Sequence, residues 1–137
     1  KPGPVNFVGE APLDQPESQT VYNVSRKENF DLTLSLHTQG EEIYWRFGSY
    51  EPVDGRELGE KMAAVSGYTL TDPVEFQSFA GYKDWFIQEF RRPGYTIEVG
   101  QGINPLPLSQ FPEIYRDNVP LLNIAALGID SDSAKKD

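Results

Sequence analysis

A chain of 137 residues, 38% hydrophobic and 24% charged, is long enough to bury one core and too short for two full domains. Its net charge of −9 excludes a sequence-independent grip on nucleic acid or on an anionic membrane surface, since both need clustered Lys and Arg. With no cysteine there is no disulfide, thiolate metal site or cysteine nucleophile, so a metal must be held by His, Asp or Glu.

No apolar run approaches a membrane span, and the start, Lys1-Pro-Gly-Pro4, has neither an initiator methionine nor a signal-peptide pattern. The chain therefore reads as a piece of something longer. Residues 1–16, rich in proline and glycine, are expected to be an irregular entry. A helix is expected after Asp14 or Pro16. Glu17 in its first turn and Arg26 and Lys27 in its last suit the macrodipole, and Val21, Tyr22 and Val24 supply an inward face.

In the next stretch, Asp31 to Gly40, Leu32, Leu34 and Leu36 alternate with Thr33, Ser35 and His37, the period of a buried strand with two unlike faces. His37, the only histidine, lies on the more polar face, and Thr38-Gln39-Gly40 ends the apolar run just after it. It thus sits at the carboxyl end of the strand, where open α/β sheets bind ligands. Helix followed by strand is half of a βαβ unit, which predicts α/β architecture with part of the sheet parallel.

Glu42 to Phe47 is aromatic and β-prone, and Gly48, Pro52 and Gly55 mark a turn-rich loop. Leu58, Met62 and Val65 predict a helix over Arg56–Val65, with Gly67 as its cap. Residues 68–83 lack a period and read as a surface loop, Asp84–Phe90 as a short aromatic helix ended by Arg91-Arg-Pro-Gly94. In the strand Tyr95–Val99, Thr96 and Glu98 share the polar face before a glycine-bearing turn. A last helix is expected from about Ser109 to Leu127, broken or kinked at Pro120, and residues 129–137 read as a disordered tail after a domain spanning 1–128.

Two strands therefore end with a polar group before a glycine turn, His37 on one and Glu98 on the other. A carboxylate beside a histidine-bound metal is how hydrolytic metal sites activate water. The bland alternatives are a hydrogen-bonded structural histidine and a surface glutamate at a strand end.

The block Leu34-Ser-Leu-His37-Thr-Gln-Gly-Glu-Glu-Ile-Tyr-Trp45, the segment Gly81-Tyr-Lys-Asp-Trp85 and the strand Tyr95-Thr-Ile-Glu98-Val resemble, in order and spacing, the zinc carboxypeptidases of the pancreatic type. The resemblance runs from about Pro12 to Leu127 and is strongest to the bacterial branch of γ-D-glutamyl-L-diamino acid endopeptidases, which cleave cell-wall peptides. It implies part of a mixed-sheet carboxypeptidase-like fold with flanking helices, the carboxyl-terminal portion of a catalytic domain. It further implies zinc held partly by His37, Glu98 as general base, a peptide substrate, and a pocket lined by Lys83, Thr96 and Tyr82. In the family the first two zinc ligands come from an upstream His-x-x-Glu motif, which a chain with one histidine does not contain, so the fragment is expected to bind zinc weakly and to be inactive alone. Phe76 falls at the position of the family's mobile tyrosine, so either Tyr68 or Tyr82 substitutes or that role is absent. Lys83 falls where the family sets side-chain preference, and a cation there suits an acidic group such as the distal carboxylate of diaminopimelate. The resemblance is compatible with the bacterial cytoplasm or an association with the cell wall. A non-catalytic binding module that keeps the fold is the competing expectation.

Overall fold

A computed structural model describes residues 9–73 and 81–133. The chain divides after Phe30 into two compact units. The first holds helix α1, Pro16–Glu28. Pro16 opens it where a missing N–H costs nothing, Glu17 and the Arg26/Lys27 pair sit at the ends that suit them, and Asn29 closes it in the left-handed region. Val21 and Val24 are 45% and 44% exposed, and the Ser25 hydroxyl donates to the Val21 carbonyl at 2.8 Å.

The second unit is built on a four-stranded mixed sheet. Its strands are β1 (Thr33–His37), β2 (Glu42–Tyr44), β3 (Thr69–Thr71) and β4 (Gly94–Glu98), in the spatial order β1-β4-β2-β3. β1 runs parallel to β4, β2 antiparallel to β4, and β2 parallel to β3. Helix α2, Gly55–Ser66, connects β2 to β3 as a βαβ crossover. Helix α3, Tyr82–Phe90, precedes β4, and a 3-10 turn, Leu108–Gln110, leads into α4, Phe111–Ser133.

Alternation along the strands separates two faces. Tyr95, Ile97 and Ile43 lie fully buried on one, in a core completed by Leu58 and Met62 of α2, Leu121 and Ala125 of α4, and Trp45 and Tyr68. Gly59 brings α2 so close to the sheet that a Cβ would lie 2.6 Å from Leu70 Cδ1, and Gly128 of α4 meets Leu58 of α2 at the same distance. The opposite face carries Thr33, Ser35 and His37 on β1 and Thr96 and Glu98 on β4. α3 covers its beginning, where a Cβ on Gly94 would lie 3.3 Å from both Phe86 and Ile87.

Several expectations are corrected. Among the described residues β1 lies at the end of the strand order rather than inside it, with Leu36 55% exposed and Thr33 buried. The stretch 68–83 is not a surface loop throughout: Tyr68 is buried, β3 follows it, and α3 already begins at Tyr82. A three-residue strand carries no readable period, which is why it escapes pattern reading. Val65, expected inside, is 42% exposed. α4 runs unbroken past Pro120 to Ser133, and 134–137 of the stretch expected to be a disordered tail lie outside the described residues. The fully buried Leu121 and the nearly buried Ala125 hold the helix to the core across the hydrogen bond that proline removes.

Candidate active site on the polar sheet face

His37 is the last residue of β1 and Glu98 the last of β4, and the two are directly paired in register across the parallel ladder. Neighbours in register project to the same face, so the imidazole and the carboxylate stand side by side at the carboxyl end of the two strands. On the other side of β4, Glu42 pairs with Glu98 and Tyr44 with Thr96. Five side chains of one face, His37, Glu98, Thr96, Glu42 and Tyr44, thus form a polar floor.

The imidazole is exposed, and among the described residues neither ring nitrogen has a hydrogen-bond partner. Glu98 is half-buried, and its Oε2 is shielded from solvent without a hydrogen-bond partner among the described residues. Burial lifts its pKa above the ordinary carboxylate value, the charge of Glu42 adds to the lift, and His37 opposes it. A carboxyl held that way is a better proton acceptor than a solvated one. Glu42 is fixed by Tyr44, whose hydroxyl donates to Oε2 at 2.6 Å, and by Thr71, whose hydroxyl donates to Oε1 at 3.2 Å. That hydrogen bond, with burial and the charges of Glu42 and Glu98, pushes the Tyr44 phenol up to about 12.

The remaining expected site residues lie elsewhere. Lys83 is 5% exposed; its ammonium donates to Asp84 Oδ1 at 2.5 Å and to the Arg46 carbonyl at 2.7 Å. The expectation for Lys83 was a cation offered to substrate; here the charge is held inside the protein, where α3 starts early enough to turn Lys83 inward. Tyr82 packs its ring on Trp85 and Phe86 of the same helix, at 5.9 and 6.1 Å between centroids. Tyr68, offered as a stand-in for the family's tyrosine, is buried and its hydroxyl accepts from Asn118 Nδ2 at 2.9 Å. Phe76 lies outside the described residues. Glu42 and Tyr44 were not singled out from the sequence, although their i, i+2 spacing puts them on one strand face; what was missing was the antiparallel register that brings that face beside Glu98.

As a metal site the floor is partial. Among the described residues no group of three or more His, Asp or Glu side chains could hold an ion, whereas a catalytic zinc takes three protein ligands. The exposed, unpartnered imidazole of His37 fits the part of one ligand.

No family model matches the chain. It is 49% identical over 117 residues to γ-D-glutamyl-L-diamino acid endopeptidase 1 of Lysinibacillus sphaericus, a match covering 85% of this chain and 29% of that protein. It is 41% identical over 110 residues to the uncharacterised protein YqgT of Bacillus subtilis, covering 80% of this chain and again 29% of the relative. The chain therefore spans less than a third of the length of these curated relatives. Its fold matches bovine thrombin-activatable fibrinolysis inhibitor in complex with tick carboxypeptidase inhibitor, with a TM-score of 0.71 at 18% identity over 90% of this chain and 48% of that one. It also matches carboxypeptidase A of Helicoverpa armigera, with a TM-score of 0.63 at 16% identity over 87% and 36% of the two chains. Such low identities establish a shared mixed α/β fold and nothing finer.

Proposed function

We propose that this chain, a sequence relative of the γ-D-glutamyl-L-diamino acid endopeptidases with a carboxypeptidase fold, supplies one side of the active site of a zinc metallopeptidase. The observation that carries this reading is the in-register pairing of His37 with Glu98 at the carboxyl ends of two parallel strands, with Glu98 Oε2 shielded and unpartnered. His37 would be one zinc ligand, and the others would come from elsewhere in the complete protein, since one imidazole is not a site. Zinc, when bound, lowers the pKa of a water and polarises a carbonyl. Glu98 accepts the proton of the attacking water at its carboxylate and returns it to the leaving amine. Thr96, one strand repeat before Glu98, lines the floor on which the residue after the scissile bond rests. The substrate is a peptide, and the name of the relative makes peptides with a γ-D-glutamyl-L-diamino acid bond the first to try.

In the intact protein, Glu98→Gln should lower turnover by about 10²–10⁴, the usual size of a general-base contribution, and leave zinc content unchanged. Normal turnover would remove Glu98 as the base. An intact protein that binds such peptides and never cleaves them would be a binding module that keeps the fold.

A further inference from the structure

His37 and Glu98 are strand-final residues, so their side chains project from the part of the sheet where ladder bonds run out. The imidazole has no hydrogen bond of its own among the described residues and inherits its position from the backbone. Beyond the strands, however, the two chains do not separate. Val99 N–H donates to the His37 carbonyl at 2.8 Å, and Gly40 N–H donates to the Gly100 carbonyl at 2.8 Å. Gln101 Nε2 then donates to Glu41 Oε2 at 2.6 Å, and Asn104 Nδ2 donates to the Thr38 carbonyl at 3.2 Å. Gln110, from the 3-10 turn before α4, grips Gln101 twice: its Oε1 accepts from Gln101 N–H at 3.1 Å and its Nε2 donates to the Gln101 carbonyl at 2.7 Å.

The backbone is shaped to allow this. Glu41 adopts a left-handed φ of 55°, uncommon for a residue with a side chain. Gly100 has a φ of 68°, and a Cβ there would lie 2.7 Å from both Gln110 Oε1 and Leu106 Cδ1. Glycine alone lets Gln110 close over the turn.

We propose that Glu41, Gln101 and Gln110 are positioning residues, a clasp that ties the loop after His37 to the loop after Glu98 and so holds imidazole and carboxylate in register for hydrolysis. The catalytic half of this proposal rests on the metallopeptidase reading above. The clasp acts through the backbone, touches no substrate, and links α4 to the chemistry at the end of the sheet. Reacting groups must be held within fractions of an ångström, so a loop tie of this kind governs turnover more than binding.

The test uses Glu41→Ala and Gln110→Leu in the intact protein, with Glu41→Gln as the control that keeps an acceptor oxygen for Gln101. Amide exchange at Gly40 and Val99 should quicken by about 10-fold in the first two variants and stay at the parental rate in the third. Turnover on a diamino-acid peptide should fall by about 10-fold with KM within about twofold, and Glu41→Ala should cost nothing more in a Glu98→Gln background. Unchanged exchange would overturn the clasp, and an equal loss of turnover with and without Glu98 would overturn its action on the catalytic pair. An intact protein that hydrolyses no peptide would refute the peptidase reading instead, while the exchange rates would still decide whether the clasp exists.

Discussion

Replacing Lys83 by alanine separates the two roles that this residue has been given. A specificity lysine on a surface loop would be neutral for folding, because exposed charges contribute within about 1 kcal/mol. In the structure its side chain and that of Asp84 are 5% and 4% exposed and meet at 2.5 Å, with the Arg46 carbonyl as a second acceptor. Removing the ammonium takes a buried ion pair from Asp84 and empties the volume of a four-carbon stem, at a cost of about 3–5 kcal/mol. Lys83→Ala should therefore lower stability by about 3 kcal/mol or more in urea denaturation, with the slope of the transition unchanged. Lys83→Met with Asp84→Leu should recover much of the loss, since an apolar pair of similar volume has no buried charge to desolvate. A stability for Lys83→Ala within about 1 kcal/mol of the parent, with selectivity between acidic and neutral peptides altered, would refute the buried role.

Glu98→Gln should raise the stability of the metal-free protein at neutral pH by about 1 kcal/mol, or about 3 °C in Tm, because a shielded charge without a donor is removed. The folded-state pKa of Glu98 lies above the unfolded one, so its contribution is fully present below the ordinary carboxylate range and is lost as pH rises through the raised value. The gain should accordingly shrink on acidification, and a gain independent of pH would contradict this assignment. Tyr44 should ionise near pH 12, and Glu42→Gln should bring that titration down, read from phenolate absorbance against a Tyr44→Phe control; no change would mean that the hydrogen bond to Glu42 is not the main cause. Gly59→Ala should cost about 1–3 kcal/mol in thermal unfolding, because its Cβ would lie 2.6 Å from Leu70 Cδ1, and a neutral effect would show that α2 can move off the sheet.

Local periodicity was enough to place His37 and Glu98. The alternation along Leu32 to His37 and along Tyr95 to Glu98, each closed by a glycine turn, puts both residues at strand ends, and strand faces are a property of neighbouring residues. The fold class was legible for the same reason, and so was α2, whose left-handed glycine cap at Gly67 is a short-range signal. Register was not legible. Whether His37 faces Glu98, and whether Glu42 and Tyr44 join them across β4, depends on hydrogen bonds between segments tens of residues apart, and a slip of one residue would reverse every face. Burial of polar groups was equally hidden: nothing in Tyr82-Lys-Asp84 says that the lysine turns inward, because its acceptor on Arg46 is 37 residues away. The exposed Leu36 and the unbroken α4 belong to the same class, since strand order decides which leucine is covered and core packing decides whether a helix survives its proline. Residue type and spacing thus set which groups this protein could use, and contacts over long separations in the chain decided which of them share a face.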